Sequence, residues 1–527
     1  MNLEDCAVPK NFKLVISPRS LGLVALAITA QLGCSSDGAP SALPNAGAGA
    51  ATNPSAGAPG AAASGGGSAG AAGTSFAGAA AVAGASGGNN TAGDTSFGGD
   101  APVAGAGSGG SAAGGGGNGM AGAGGAPGKL AAKPYMGWSS WSSLEANPTE
   151  TKIKAVTDAV ATQLLPFGYD YINIDDGWYS GFDANGRWKP DTRKFPNGIK
   201  GVADYVHAKG MKFGIYLVPG VITAAYDANY PVLGTSVKLK DVCLNQAGNT
   251  NKKENAAKKL DYSKPGAVAY IQSYADLLVS WGVDFIKLDF VGPGGGGGNA
   301  DNQDDIKQWR AALDKTGHQV WLELSNMLAI SAVNTWKTYS NGWRIGNDVE
   351  CYCDTLTNWA HVVRNINAMP PWVSYGGPGG WNDLDSLEIG NGDKNGLSLD
   401  ERQTYFSFWA INASPLFLGS DASNLDAADL KILTNPEVIA VNQAAVPAKP
   451  LTGNNVYYAK LPDGTINVGL FNFGSGAASA SVKFSDVGGA ASMKVRDLVA
   501  KSDLGSMSGS FSATLPSHGS RLIKLTP

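Results

Sequence analysis

Acidic residues in the second half of this chain stand where short apolar runs end. Ile174-Asp175-Asp176-Gly177-Trp178 is one such place, Lys287-Leu288-Asp289 another, and Gly380-Trp381-Asn382-Asp383 a third. Glu323 lies inside Val320–Ser325, and Arg344 and Asp348 lie within Trp343–Val349. A carboxylate at the end of a buried strand is costly unless it meets a partner or a ligand. Carboxylates held in different surroundings can divide the work of nucleophile and proton donor. Neighbouring tryptophans such as Trp138, Trp141, Trp178 and Trp381 present flat apolar faces that suit a sugar ring. Each feature also has a plainer reading. Asp289 can pair with Lys287, because residues two apart on a strand share a face. Arg344 and Asp348 can form a structural ion pair, Asp175-Asp176 can be a turn, and Trp138 and Trp141 can be core.

The elements that must position these residues are legible from hydrophobic runs. Strands are expected at Tyr135–Trp141, Tyr169–Asp175, Lys212–Val218, Val283–Phe290, Val320–Ser325, Trp343–Val349, Trp372–Tyr375 and Pro415–Gly419. Helices are expected between them at Thr149–Leu165, Ile199–Lys209, Pro265–Trp281, Asp304–Lys315 and Asp400–Asn412. Gly168, Gly210, Gly282 and Gly317 fall where helices should stop. Eight such alternations predict a (β/α)8 TIM barrel over residues 131–442, with its active site at the C-terminal strand ends. A doubly wound sheet is the alternative, but the eight-fold alternation favours closure. From 443 to 527 the pattern changes to strands split by turns, at Val456–Lys460, Thr465–Phe473, Ala480–Phe484 and Met493–Arg496. This predicts a small C-terminal antiparallel β-sandwich.

Composition narrows the ligand and the compartment. The chain has 527 residues and a formal charge of −4; 36 basic and 38 acidic residues remain beyond residue 128. Without a basic stripe, nucleic-acid binding is not expected. Between Gly38 and Gly128, 30 of 91 residues are glycine, with only Asp94 and Asp100 charged. Residues 35–130 therefore read as a disordered linker, too poor in large side chains to offset ordering entropy. Ahead of it, Lys10, Lys13 and Arg19 precede an apolar run from Leu21 to Ala30, the pattern of an export signal over residues 1–34. The run ends Gln31-Leu32-Gly33-Cys34-Ser35-Ser36, which resembles a bacterial lipoprotein cleavage site with Cys34 as the lipidated residue. Ordinary secretion is the alternative, since leucine is preferred where Gln31 stands. Lipidation would tether a folded domain on a linker with a reach of roughly 50 Å. Of the remaining cysteines, Cys351 and Cys353 are close in sequence, so a disulfide from one of them to Cys243 is expected. Cysteine and histidine spacing fits no zinc site. Gly294–Gly298 lacks the Lys-Ser/Thr of a phosphate loop and reads as a rim loop.

Several ordered motifs resemble glycoside hydrolase family 27, the α-galactosidase or melibiase family. They are Met136-Gly137-Trp138 with Trp141, Ile174-Asp175-Asp176-Gly177-Trp178, Lys287-Leu288-Asp289 and Gly379-Gly380-Trp381-Asn382-Asp383. Gly186-Arg187-Trp188, Phe195-Pro196-Asn197-Gly198 and Asn435-Pro436-Glu437-Val438-Ile439-Ala440 add to these. The resemblance spans residues 133 to 527. It implies a retaining double displacement without a cofactor, in which Asp289 is the nucleophile and Asp348 the acid/base. Lys287 would then keep Asp289 ionised, while Asp348 would hold its proton. By the same resemblance Asp175 and Asp176 meet the sugar's 4- and 6-hydroxyls, helped by Lys287. Arg344 approaches the 2-hydroxyl and Trp141 covers the ring, with Trp381 and Asp383 lining the site.

Three departures bear on which sugar is taken. Gly214-Ile215-Tyr216 continues Leu217-Val218-Pro219-Gly220 where the family carries Asp-x-Gly. Val291 and Gly292 stand where a cysteine usually follows the nucleophile. Leu322-Glu323-Leu324-Ser325 replaces the Cys-Glu-Trp that reads the 2-hydroxyl, which leaves the part played by Glu323 open. Terminal α-galactosides are the expected substrates. Family relatives that release isomaltose from dextran or cleave β-L-arabinopyranosides supply the alternatives, and an inactive surface glycan-binding protein is a reading of another class.

Overall fold

The computed structural model describes residues 130–295 and 298–527. The export signal, Cys34, nearly all of the expected linker and the centre of the Gly294–Gly298 loop lie outside the described residues. Eight strands form one parallel sheet: β1 (Met136–Ser139), β2 (Tyr171–Ile174), β3 (Lys212–Leu217), β4 (Phe285–Leu288), β5 (Trp321–Leu324), β6 (Gly342–Arg344), β7 (Trp381–Asp383) and β8 (Leu416–Leu418). Their spatial order is β7-β6-β5-β4-β3-β2-β1-β8. The two edges meet just past β7, where the Leu387 N–H donates to Phe417 O at 2.7 Å and Leu387 O accepts from Gly419 N at 3.1 Å. The sheet is thereby a closed barrel.

One expected strand is corrected. Trp372–Tyr375 is not a strand but the end of a 3-10 turn begun at Pro370 and the turn that follows it, and the preceding Pro370 and Pro371 have no N–H to give a ladder. The seventh strand is Trp381–Asp383 instead. The helices follow the sequence expectation closely, at Glu150–Gln163, Gly198–Ala208, Pro265–Ser280, Gln303–Thr316 and Leu399–Ile411. Thr149 caps the first by accepting from Lys152 N at 3.3 Å. Gly317 closes the fourth with φ +74°, a left-handed stop that glycine adopts without strain.

Alternation along the strands sorts the barrel interior into levels. At the N-terminal end, Tyr135, Tyr171, Phe285, Trp321, Trp381 and Phe417 pack into a buried aromatic floor. The Tyr135 ring lies 5.0–5.5 Å from those of Tyr171, Phe285 and Trp321. Two residues further along the same strands come Gly137, Asn173, Lys287, Glu323 and Asp383. Two further still come Ser139, Asp175, Asp289, Ser325 and Asp385. Gly342 on β6 has no side chain because the Glu323 carboxylate fills the space a Cβ would take.

The C-terminal region folds as β9 (Val456–Lys460), β10 (Ile466–Phe471), β11 (Ala478–Lys483), β12 (Ser492–Asp497), β13 (Ser502–Ser508), β14 (Ser510–Leu515) and β15 (Ser520–Thr526). An antiparallel sheet runs β9-β10-β15-β12-β13, and β11 pairs with β14. The two share a core that includes Val468, Leu470, Val482, Phe511, Leu515 and Ile523. The strands not foreseen from sequence include β13, whose serines and glycine give little apolar alternation, and β14, despite its alternating Phe511, Ala513 and Leu515. Helix Leu399–Ile411 carries a Ser398–Glu401 capping box. It is buried on nearly every side, with Phe408 against Tyr457 and Phe471 of the β domain at 4.9 and 5.3 Å.

Candidate active site

Asp175 follows β2 and is buried. Its Oδ2 accepts from Lys287 Nζ at 2.8 Å and from Ser139 Oγ at 3.4 Å. This corrects the expected pairing of Lys287 with Asp289, although the Lys287 charge still acts on Asp289 through space. Burial works against the ammonium, but Asp175 and Asp289 more than offset it and hold Lys287 charged. Asp176, one residue on, accepts from Gly177 N and Tyr179 OH on Oδ1, both at 2.7 Å, and from Asn255 Nδ2 on Oδ2 at 3.0 Å. Burial raises its pKa despite these donors.

Asp289 tops β4 and is buried, and its Oδ1 accepts from its neighbour Phe290 N at 2.9 Å. Burial pushes its pKa up; Lys287 and Arg344 pull it down without cancelling the rise. Asp348 behaves in the opposite way. Burial pushes it up, but Arg344 and Lys287, with hydrogen bonds from Tyr352 OH (2.8 Å) and Asn326 Nδ2 (3.3 Å), hold it at about 2. These fields reverse the expected division, since Asp348 is the more readily ionised partner and Asp289 the more reluctant one. The physical reason is direct contact. The Arg344 guanidinium lies against Asp348 Oδ1 and reaches Asp385 Oδ1 at 2.9 Å with its other end.

Beneath this rim, Glu323 and Asp383 lie buried in the barrel. Trp321 Nε1 donates to Glu323 Oε2 at 2.8 Å, and burial with the nearby Asp383 raises Glu323 well above the ordinary carboxylate range. Asp383 is pushed to about 7 by burial and by Asp385. Trp381 belongs to the aromatic floor, with Nε1 donating to Ala131 O at 3.0 Å. Its expected place lining the site is corrected, because β7 turns position 381 to the closed end and position 383 towards the open one. Trp141, by contrast, is half-buried at the mouth, where Nε1 donates to Tyr352 OH at 3.0 Å.

The structure adds residues that the strand-end filter missed. Asp385 shares the inward face of 381 and 383, so the two-residue period would have found it. It sits at φ +80°, a conformation that costs energy in a non-glycine residue, and accepts from Val349 N at 2.7 Å. Glu388 accepts from Ser142 Oγ and Ser386 Oγ at 2.7 Å, and Ser142 also bonds Glu350. These, like Tyr179, Asn255 and Tyr352, come from segments outside the eight barrel strands, Ser142 from the helical turn Trp141–Leu144 and Tyr179 from the short strand Tyr179–Phe182. Carboxylate oxygens of Asp348, Glu350 and Asp385 lie within 4.8 Å of one another. Arg344 contacts two of the three, so a guanidinium supplies the positive charge there.

The disulfide also differs from expectation. Cys351 bonds Cys353, and Cys243 is the free, buried cysteine among the described residues. Tyr352 between the two half-cystines adopts φ +49°, and the Cα atoms lie 5.2 Å apart.

A closed barrel that gathers carboxylates and an arginine at its C-terminal rim is the arrangement of a barrel hydrolase. Residues 133–241 and 254–444 match the family model for alpha galactosidase A, and residues 452–525 match that for the alpha galactosidase C-terminal beta sandwich domain. The chain is 33% identical over 416 residues to alpha-galactosidase 3 of Arabidopsis thaliana, covering 76% of this chain and 83% of that one. Among solved structures it is similar to a GH27 β-L-arabinopyranosidase of Geobacillus stearothermophilus, with a TM-score of 0.70 at 30% identity over 75% of this chain and 97% of that one. It is likewise similar to alpha-galactosidase I of Mortierella vinacea, with a TM-score of 0.62 at 30% identity over 75% and 98%. The chain belongs to the α-galactosidase family, glycoside hydrolase family 27, and is a glycosidase.

Proposed function

We propose that this enzyme removes terminal α-galactosyl residues from oligo- or polysaccharides by double displacement with retention. The observation that carries the reading is the pair of Asp289 and Asp348 at the barrel rim, each set in a different field. In the first step Asp289 attacks the anomeric carbon, and the bond to the leaving oxygen breaks as Asp348 gives that oxygen its proton. In the second, Asp348 takes a proton from water, and the resulting hydroxide displaces Asp289. The first step needs Asp348 protonated, against the pull of Arg344 and Lys287. A sugar whose 2-hydroxyl engages Arg344 would loosen the guanidinium from Asp348 and exclude water, so that Asp348 holds a proton while Asp289 attacks as the carboxylate. Asp175 and Lys287 offer an acceptor and a donor to the 4-hydroxyl, and Trp141 offers a face for the ring. Aryl α-galactoside hydrolysis, followed by NMR of the first-formed anomer, tests this. Initial release of α-galactose supports it, and β-galactose removes the double displacement.

A second substrate is favoured by one observation. Both Asp176 oxygens already take hydrogen bonds from Gly177, Tyr179 and Asn255, which leaves less capacity for a 6-hydroxyl. β-L-Arabinopyranose has the galactose configuration without that group, and a similar solved structure is a β-L-arabinopyranosidase. The ratio of kcat/KM for the two aryl glycosides decides between them. The sequence of the leader and linker supports an exported, Cys34-lipidated form tethered in a bacterial envelope. Fatty-acid labelling that persists after Cys34→Ala would remove the anchor.

A further inference from the structure

Tyr352 occupies a position that neither strand ends nor the proposed reaction explains. It is a large aromatic residue left 61% exposed, in left-handed backbone at φ +49°. Non-glycine residues stay in such a conformation only where the surroundings over-determine it. Here the constraint is covalent, because the flanking Cys351 and Cys353 are bonded to each other. The turn lies four residues past Asp348, and the phenol oxygen is held from two sides. Trp141 Nε1 donates to it at 3.0 Å, and its own hydrogen is donated to Asp348 Oδ2 at 2.8 Å. A phenol has one hydrogen, so with the indole N–H occupying its oxygen the hydroxyl is aimed at the carboxylate.

We propose that Tyr352, clamped by the Cys351–Cys353 bond and oriented by Trp141, is a positioning residue that fixes the carboxyl of Asp348 and sets the pH at which it gives up its proton. This rests on the reading of Asp348 as acid/base. Other groups face that carboxyl as well. Arg344 lies on its own segment, Lys287 comes from β4 and Asp289 follows it. Asn326 follows β5, and Asp385 follows β7. Glu350 lies beside it, and Arg364 with neighbouring His361 reaches its backbone carbonyl from helix Trp359–Ala368. Among these groups, Tyr352 is the neutral donor whose hydrogen bond can be removed by deleting one oxygen without changing the net charge. Burial of its hydroxyl and the charge of Asp348 push the phenol's own pKa upward, so it remains a donor across the working range.

The sign follows from the chemistry. A donor to the carboxylate favours the ionised form. Without it Asp348 keeps its proton to higher pH in the substrate complex, and the alkaline limb of the kcat profile, which reports that complex, moves up. Loss of one hydrogen bond to a charged acceptor corresponds to a shift of about one pH unit.

The test measures pH profiles on an aryl galactoside for the wild type, Tyr352→Phe and the double variant Cys351→Ser/Cys353→Ser, with melting temperatures alongside. Tyr352→Phe should raise the alkaline limb by about one unit, and the serine pair should raise it by less, since the ring is freed but its hydroxyl remains. A limb unmoved in both variants, whether or not kcat or melting temperature falls, overturns the proposal. If Tyr352→Phe melts far lower, the serine pair, which keeps the hydroxyl, still decides it by the same limb. Wild-type protein inactive on every galactoside and arabinoside refutes the acid/base reading itself, an outcome separate from an unmoved limb in an active enzyme.

Discussion

The two ends of the barrel are built by the same strands and obey the same alternation, yet they share almost no chemistry. At the N-terminal end Tyr135, Tyr171, Phe285, Trp321, Trp381 and Phe417 close the floor with packed aromatic rings. Four residues along, the same faces carry Ser139, Asp175, Asp289, Ser325 and Asp385, with Arg344 among them. The floor gains its free energy from buried area and ring contacts, which do not depend on pH. The mouth holds charges in surroundings where each depends on its neighbours, an arrangement that stability alone does not favour. A position's level along the strand therefore predicts which property a substitution will disturb.

The sharpest way to test that division is to change each end in turn. Asp289→Asn should lower kcat by roughly 10⁴-fold or more, as for removal of a nucleophile acting as part of a unit, with the melting temperature held or raised because a buried carboxylate is gone. Asp348→Asn should cost about 10²–10⁴-fold on a poor leaving group and far less on a good one such as dinitrophenol. An equal loss on both would remove Asp348 from the proton-transfer role. At the floor, Trp381→Ala should destabilise by about 3–5 kcal/mol in denaturant unfolding, with KM of the folded fraction unchanged. A raised KM with intact stability would return Trp381 to the substrate site and break the comparison.

Asp305 supplies a smaller and subtler check, because it is a fully buried carboxyl in the barrel wall rather than the mouth. Burial raises it to about 6, partly opposed by Tyr262 OH at 2.6 Å and Asn302 Nδ2 at 2.8 Å. Its folded pKa exceeds the unfolded value near 3.9, so the native state binds the extra proton between those limits. Stability from this group is therefore greatest below about pH 4 and falls as pH rises towards 6. Asp305→Asn should remove up to about 2–3 kcal/mol of that fall, seen as a flatter plot of unfolding free energy against pH, with kcat unchanged. A large loss of kcat would show that a raised carboxyl pKa marks function here regardless of level.

The strands that carry the floor and most of the rim residues were legible in the sequence for one reason: strands announce themselves through apolar runs of fixed period. The aromatic floor itself was not read, and Trp381 was assigned to the site. Asp175, Asp289 and Asp383 could be placed because each ends such a run. Lys287 was placed correctly but paired wrongly, since period two puts Lys287 and Asp289 on one face without saying which neighbouring strand offers the nearer partner. Strand β7 was displaced because three residues are too short a run to stand out beside Trp372–Tyr375. Tyr352, Glu350 and Asn255 carry no periodic signal, and their arrival at the rim depends on turns such as the one closed by the Cys351–Cys353 bond. The leaning of Asp348 towards its ionised form was likewise invisible, because it follows from a guanidinium contact and not from spacing.

Helix Leu399–Ile411 has a consequence for how the chain can be divided. On one side Phe408 meets Tyr457 and Phe471 of the β domain. Elsewhere along the helix, Trp409 Nε1 donates to the Asp385 carbonyl at 2.8 Å, one residue's span from the carboxylate that braces Arg344. The β domain is thus no detachable accessory. It and the catalytic rim lean on one shared beam, and the two should melt as a single cooperative unit. Trimming the chain after residue 443 would strip the outer face of that helix and slacken the rim from behind, without touching any residue that meets the sugar.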